Sequence, residues 1–478
     1  MRRLLLVTVM LFSAICTGIP QPEKAAADRG LLPLEEFISL ACRRDTAFQE
    51  ILIDEMYLRY RKDIDLPARD IVLSVAGQYD LMLGDDNDRK SGGISLSRLF
   101  PRTGTDVSAG YTSTPNTQGG VNKTTLTLSL SQPIARNAFG RANRLQEKIT
   151  GIEIDLAGHQ VVEAYEDYLA AVINLYFDWY SDWENLQYGE SSYRYNRELL
   201  RDIRKKQQFR IARRVDVNKI SLQVIQKREE LVSLKEGYSR SLNLVKNAIR
   251  HTRGPGPVPV MPDLPGSTRP DFSRDYSRFT TGSRTMRMLS LLERHGLLSV
   301  SLAADALLPS ANLVAGFSSS SQGIGYSSAA TNISGSRTSG DSAFAGISMS
   351  WNFIGQKERA LHKTAQIDLK KSRLSSRSKK AELETDLKNL YAQILSEREL
   401  IEIARKKIDL SAAVAADERR NYLLGKITLN DLIQAVNDLD RNRISLVAHR
   451  VQLNRLMVEW LRLSDRLISK KDIAQPGR

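Results

Sequence analysis

The side chains able to do chemistry in this 478-residue chain are spread thin. Five histidines, at positions 159, 251, 295, 362 and 449, are scattered, with no pair at metal-ligand spacing. Ser376 and Lys379 match an S-x-x-K nucleophile pair, but they fall in a basic helical run, where the match is chance. The "GIGY" after Gln322 has no strand–helix context around it and is a loop, not a dinucleotide turn. Asn122-Lys123-Thr124 fits a glycosylation acceptor by pattern only. Tyr165, Tyr168, Tyr176, Trp179 and Trp183 recur at helical spacing, as packing residues do. No catalytic constellation, metal set or cofactor fingerprint emerges, so the expectation is a non-enzyme.

What remains is a turn built twice. "NYLLGKITLNDLI", Asn421 to Ile433, has a weaker copy 213 residues upstream, "QFRIARRVDVNKI", Gln208 to Ile220. Matching the two sets Phe209 against Tyr422, Ile211 against Leu424, Ala212 against Gly425, Arg213 against Lys426 and Asn218 against Asp431. A small residue breaks a helical pattern and a polar one restarts it, as at the tip of a helical hairpin. Asp431 stands where a helix macrodipole favours an acid, and that structural role competes with any functional one.

The elements that carry these tips follow from periodicity. Residues 34–65 place apolar side chains at helical spacing, and Pro67 ends the pattern. Over 70–135 alternation takes over: in "TTLTLSLSQPI" Leu126, Leu128 and Leu130 face one way, and Thr125, Thr127, Ser129 and Ser131 the other. Segments of this kind, about 11 residues long, match the 9–11 residues of a membrane-spanning strand. A helix of about 70 residues, roughly 105 Å at 1.5 Å per residue, then runs to the first tip, and a return helix covers about 217–250. "HTRGPGPVPVMPDLPGSTRPDFSRD" is too rich in Pro and Gly for a helix and reads as a linker. The order then repeats: helix 283–307, strands "PSANLVAGFSSSSQ" and "SAFAGISMSWNF", long helix 356–421, tip, return helix 428–465. The expected organisation is therefore a leader over 1–27, repeat one over 28–250, a linker over 251–282, repeat two over 283–466 and a tail over 467–478. "DIVLSVAGQYDLML" and "GGISLSRLF" also alternate; they form an extra hairpin or pack at the base of the sheet, and the simpler count is four strands per chain.

Compartment follows from the N-terminus. Arg2 and Arg3, the apolar run Leu4–Cys16 and the small residues Ala25 and Ala27 form a secretory leader cleaved near Ala27. Lipidation through Cys16 is disfavoured by Ile15, where a small residue is wanted. Cleavage leaves Cys42 alone, a buried small hydrophobe by type. Hydrophobic content of 41% with 26% charge excludes a disordered chain and a polytopic helical one. The net charge of +14 is interleaved with Asp and Glu along helical faces, a solvated surface and not a nucleic-acid footprint. Four strands cannot close a barrel, and open edges do not survive in lipid, so a barrel must be shared between copies.

Together the leader, "LPSANLVAGF", "LSLSQPIARNAFGRA", "ISMSWNFIGQKERA" and the paired tips resemble the TolC-like outer-membrane efflux proteins over nearly the whole mature chain. The resemblance implies a mainly α fold with a membrane β-barrel: a long coiled-coil α-helical barrel in the periplasm and a 12-stranded outer-membrane β-barrel, built by a homotrimer with internal duplication. It implies an exit duct of a tripartite efflux pump or type I secretion system in a Gram-negative cell. The partners would be a periplasmic adaptor and an inner-membrane pump of RND or ABC type. The family closes its periplasmic aperture with acids six and nine residues after the tip glycine. Asp431 matches the first, Gln434 departs at the second, Tyr422 matches a latch tyrosine, and Asn218 lies at the corresponding place in the first tip. Ile427 stands where the family has a clamping arginine, with Lys426 beside it. Ile211, Ala212, Arg213, Leu424, Gly425 and Lys426 resemble its adaptor-docking turns, with a plain hairpin turn as the structural alternative. Tyr111, Phe317, Trp351 and Phe353 are the candidate membrane-interface aromatics, with ordinary packing the alternative for the last two. A non-pore protein that bridges the periplasm with the same hairpins is the other function considered.

Overall fold

The computed structural model describes residues 30–66, 70–80, 89–115, 121–210, 212–250, 256–261, 271–323 and 339–468. The leader, with Cys16, lies outside them, as do Ile211 and His251. The described chain runs β1 (Leu31–Leu32), α1 (Leu34–Arg44), α2 (Thr46–Asp65), β2 (Ile71–Asp80), β3 (Arg89–Phe100), β4 (Thr105–Thr114), β5 (Asn122–Pro133), α3 (Arg141–Gln208) and α4 (Arg214–Ala248). It continues with β6 (Val258–Pro259), α5 (Phe272–Gly282), α6 (Arg284–Asp305), β7 (Ser310–Gly323), β8 (Ser339–Ser350), α7 (Gln356–Leu423) and α8 (Leu429–Leu463).

The duplication is exact in its long and return helices. α3 and α7 each have 68 residues, and α4 and α8 each have 35. One shift of 215 residues carries Arg141 to Gln356, Gln208 to Leu423, Arg214 to Leu429 and Ala248 to Leu463.

Two elements differ from the sequence expectation. The helix expected over 34–65 is broken at Asp45, whose backbone turns extended after α1. Its carboxylate accepts from the Ala47 N–H at 3.0 Å, starting α2, and from the Tyr168 hydroxyl at 2.9 Å, so the break is anchored to α3. The linker expected over 251–282 holds a helix, α5. Asp271 accepts from the Arg274 N–H and caps it just after the last proline, so the Pro/Gly composition stops one residue short of the helix.

The chain divides into two compact units. The first comprises Met1–Met56, His159–Arg287 and Lys379–Arg478. Its core is aromatic: Phe37, Tyr176, Phe177 and Trp179 are fully buried with Val245, Val451 and Val458. The short strands β1 and β6 pair in parallel here, and Tyr176 pins the junction. Its hydroxyl accepts from the Val260 N–H at 2.9 Å and lies within hydrogen-bond distance of the carbonyls of Leu32 and Val260. Cys42 is buried among Phe48, Tyr165, Leu169 and Ile468, so the start of the expected tail is part of the core.

The second unit comprises Tyr57–Gly158 and Met288–Ser378 and contains one antiparallel sheet in the order β2-β3-β4-β5-β7-β8. Among the described residues this sheet has six strands, not four: of the two placements left open for the extra segments, the hairpin β2–β3 is in the sheet, not packed at its base. The residues between β3 and β4, "PRTG", hold it there. Gly104 and Gly140 are both in the left-handed region, and a Cβ on Gly140 would lie 2.4 Å from the Arg102 carbonyl oxygen. Gln132 Nε2 donates to the Thr103 carbonyl at 2.9 Å, and Arg144 donates to that of Arg102 at 2.6 Å.

Paired residues in an antiparallel ladder point to the same side, so the register sorts the two faces. Leu73, Leu96, Ala109, Leu128, Phe317 and Ala343 form one row across all six strands. One residue further along each strand the row is Ser74, Ser95, Gly110, Thr127, Ser318 and Ser342. One face is mostly apolar and open, with Val75 73% and Ile347 70% exposed, and the other is rich in small polar residues.

Candidate functional site: the paired helical tips

Both tips lie in the first unit and pack against each other. Ile203 of α3, Ile220 of α4 and Leu429 of α8 are buried together, with Leu199, Ala212, Val217, Tyr422 and Ile433 around them. Each turn is five residues, 209–213 and 424–428. In each, the second residue takes the left-handed conformation: Arg210 at φ 57° and Gly425 at φ 72°. The tips are therefore related by the same 215-residue shift as their helices, and the matching of Ala212 with Gly425 and Asn218 with Asp431 is two residues out of register. Side-chain likeness suggested that match; backbone conformation and caps set the true one. Arg210 corresponds to Gly425, Phe209 to Leu424 and Asp216 to Asp431.

The caps show why. The Arg213 N–H donates to Asp216 at 3.2 Å, and the Thr428 N–H to Asp431 Oδ2 at 3.0 Å, so each acid holds the first turn of its return helix. Thr428 Oγ1 also donates to Asp431 Oδ2 at 2.7 Å and accepts from the Asp431 N–H at 3.4 Å. The hydroxyl and then the backbone N–H of Thr428 hold the Asp431 carboxyl below its ordinary range. Asp431 and Gln434 are exposed on one face of α8, and Gln434 leans along the helix to Asp438 at 3.4 Å. Asn218 is exposed on α4, away from these contacts.

Tyr422 of α7 meets a side chain of α3. Lys206 of α3 sits 5.0 Å from its ring centre, and Arg419 of α7 lies 5.7 Å from the ring of Tyr195 on α3. These residues line a cavity with Glu198 and Asp202. Burial, and then the nearby Asp216 charge, push the Tyr422 hydroxyl up, so it stays a neutral phenol. A second tie lies higher: Asp440 of α8 accepts from Ser192 of α3 at 2.5 Å and faces Lys227 of α4 at 3.8 Å. Lys206, Arg419 and Asp440 were not singled out from sequence, because a charge at a helix–helix seam looks like any solvated charge until the helices are paired. At the very end Phe209, Leu424, Gly425 and Lys426 are exposed, as is Arg213, while Ala212 faces the tip core.

One buried charge cluster lies elsewhere in this unit. Glu163, Glu166 and Asp465 bring their carboxylates within 4.8 Å of one another, and Arg284 donates to all three at 3.0, 2.5 and 3.0 Å. The guanidinium occupies the place a cation would take. Burial raises the Glu166 carboxyl, and the Arg284 hydrogen bond opposes it.

The sheet places the four aromatic candidates at two levels. Tyr111 pairs with Leu126 and Phe317 with Leu128, well along the strands. Trp351 and Phe353 follow the end of β8, exposed and edge to face at 5.1 Å. Beyond the row of Tyr111 the apolar face turns polar, with Ser113, Asn122, Thr124 and Ser321.

This combination of an antiparallel sheet and duplicated long helices with tip hairpins is the fold of the outer-membrane efflux channels. Residues 278–458 match the family model for outer membrane efflux proteins. No curated protein matches the chain. Among solved structures it is similar to CusC, at 12% identity over 90% of this chain and 91% of that one, with a TM-score of 0.68. CmeC of Campylobacter jejuni matches at 12% identity over 91% and 86%, with a TM-score of 0.67. VceC of Vibrio cholerae matches at 11% over 90% and 95%, with a TM-score of 0.66. The resemblance seen in the sequence is thereby borne out: by sequence over the second repeat, and by fold over nine-tenths of the chain.

Proposed function

We propose that three copies of this chain form the outer-membrane exit duct of a tripartite pump. The duct takes substrate from an inner-membrane pump, of RND or ABC type, through a periplasmic adaptor, with efflux and type I secretion as the two possible duties. The chain does no chemistry of its own, and the pump supplies the energy. The observation that carries this reading is the sheet with one mostly apolar face and one face rich in Ser, Thr and Gly, the pattern of a wall between lipid and water. No helix among the described residues is long and apolar enough to cross a membrane, so a crossing would fall to the sheet. Phe317 lies opposite Ala343, eight residues before Trp351, or about 26 Å along the strand at 3.3 Å per residue. At the tilt of about 40° usual for barrel strands that is roughly 20 Å of height, close to the apolar band of about 25 Å that aromatic girdles flank.

The helical tips would close the periplasmic mouth. Asp431, with Gln434, Asn218 and Tyr422 near it, would face the aperture, and a three-fold ring would hold one Asp431 per chain. Leu424, Gly425 and Lys426, with Ile211, Ala212 and Arg213 of the first tip, would meet the adaptor. The bridging alternative has no use for a six-stranded sheet with an open apolar face. The test is the native mass after detergent extraction of salt-washed outer membranes. A mass of three chains is expected; a single chain released by salt alone refutes the duct.

A further inference from the structure

A cavity of about 230 Å³ opens in the second unit, where the sheet gives way to helices. The residues between α6 and β7 form one side, and the segment from the end of β8 into α7 forms the other. Its lining is of two kinds. Trp351 and Phe353 continue the alternation of Ile347 and Met349, so the open apolar face runs straight into the cavity. All four side chains are exposed.

Arg136, Asn352, Glu358 and Arg359 supply the other kind. Arg136 donates through Nη2 to the Ala306 carbonyl at 2.7 Å and through Nε to that of Leu308 at 3.3 Å. Those neutral acceptors orient the guanidinium and leave its charge in place. Asn352 Nδ2 donates to Glu358 Oε1 at 3.0 Å, which fixes the carboxylate at the cavity wall. Arg359 is exposed, and among the described residues its guanidinium has no hydrogen-bond or ion-pair partner. Two positive charges therefore face one negative charge.

A small inorganic anion would use the arginines and ignore the aromatic wall. An apolar tail alone would use the wall and leave Arg359 unmatched. An amphiphile uses both. A lipid lying along Ile347 and Met349 would bring its phosphate to the two guanidinium groups, which suit phosphate oxygens. An amine on the same headgroup would then reach Glu358. Tryptophan and arginine at the end of an apolar face are also the side chains that favour a membrane interface, each with an apolar body and a polar tip.

We infer that this cavity holds the headgroup of a bilayer phospholipid that carries an amine, with its phosphate on Arg359 and Arg136 and its amine on Glu358. This rests on the membrane-crossing sheet proposed above and deepens it. The cavity marks the level at which the wall leaves the membrane on the helical side, with one lipid to each chain.

Native mass measurement of the full chain in detergent tests this, with short-chain phosphatidylethanolamine as the probe. One lipid per chain should bind. Arg359→Gln, at an exposed position where the fold is not at risk, should weaken that binding by roughly tenfold or more, as loss of a hydrogen bond to a charged group does. Arg359→Lys should retain most of it. Lys370→Gln, which removes an exposed charge farther along α7, should change nothing. Inorganic phosphate should not displace the lipid, and phosphatidylglycerol, which lacks the amine, should bind more weakly. Displacement by phosphate makes the cavity a free-anion site and overturns the proposal. Equal binding of phosphatidylglycerol or of a diacylglycerol overturns it as well, as does an unchanged affinity in Arg359→Gln. So does protein of three-chain native mass that takes up no lipid. A one-chain native mass refutes the duct itself, which distinguishes the two failures.

Discussion

Arg210 and Gly425 occupy the same step of the two tips, and only one of them suits it. A non-glycine side chain in the left-handed region costs about 1–2 kcal/mol. Gly425→Ala should therefore loosen its tip by about 1 kcal/mol, and Arg210→Gly should tighten the other by a similar amount. Amide exchange at the two turns reads both, and equal signs would contradict the shared geometry. Arg284 is the other residue with leverage. Glu166, 1% exposed, has Arg284 as its main countercharge. Arg284→Met should cost about 3–5 kcal/mol at neutral pH by leaving a buried charge unpaired. A carboxyl whose folded pKa lies above its unfolded one binds its proton more tightly when folded. The loss should therefore shrink as pH falls through the raised Glu166 value, and Glu166→Gln should restore part of it at neutral pH. An unfolding midpoint followed between neutral pH and pH 5 checks both.

At the scale of elements, most of the fold was legible. The long helices were found to within a few residues, because a 3.6-residue period sustained over 68 residues leaves little freedom. Their ends were less legible. Likeness between Phe209 and Tyr422 points to one tip register, yet the register is set by a backbone torsion at Arg210 that no side chain announces. The break at Asp45 was hidden because apolar spacing continues through it, and α5 because proline sits so close to its cap. For the extra hairpin, alternation in "GGISLSRLF" showed a strand but not its neighbour. The ladder of β3 with β4 and the clasp around Gly140 decide that. Gly140→Ala should push Arg102 off this clasp, through a contact no backbone can tolerate, and destabilise the sheet by about 1–3 kcal/mol. Gly151→Ala, with open space around it, is the control. Heat-modifiable mobility on a gel would report the difference, and equal behaviour would mean that the clasp does not hold the sheet.

At the scale of the molecule, a proposed closure at the tips would depend on contacts between their helices. Two cation–aromatic contacts, Lys206–Tyr422 and Arg419–Tyr195, tie α3 to α7, each worth about 0.5–1 kcal/mol at exposed sites. Lys206→Met with Arg419→Met removes both charges while keeping apolar length. In the proposed duct this should raise the resting leak and sensitise cells to large antibiotics that the outer membrane excludes. Tyr422→Phe, which keeps the ring, should not. Unchanged sensitivity in the double variant would move the latch elsewhere, with Asp440 and its Ser192 and Lys227 contacts the next place to look.

The up-and-down order of the sheet bears on how such a wall could be put in place. The ends of β2, β5, β7 and β8 that continue toward helices all lie at one end of the strands, and the turn from β3 to β4 lies there too. At the other end only three connections join the strands: 81–88, 116–120 and 324–338. Their charged residues are Asp85, Asp86, Asp88 and Arg337. Assembly of the sheet across a bilayer would therefore have to translocate only these three sparsely charged connections.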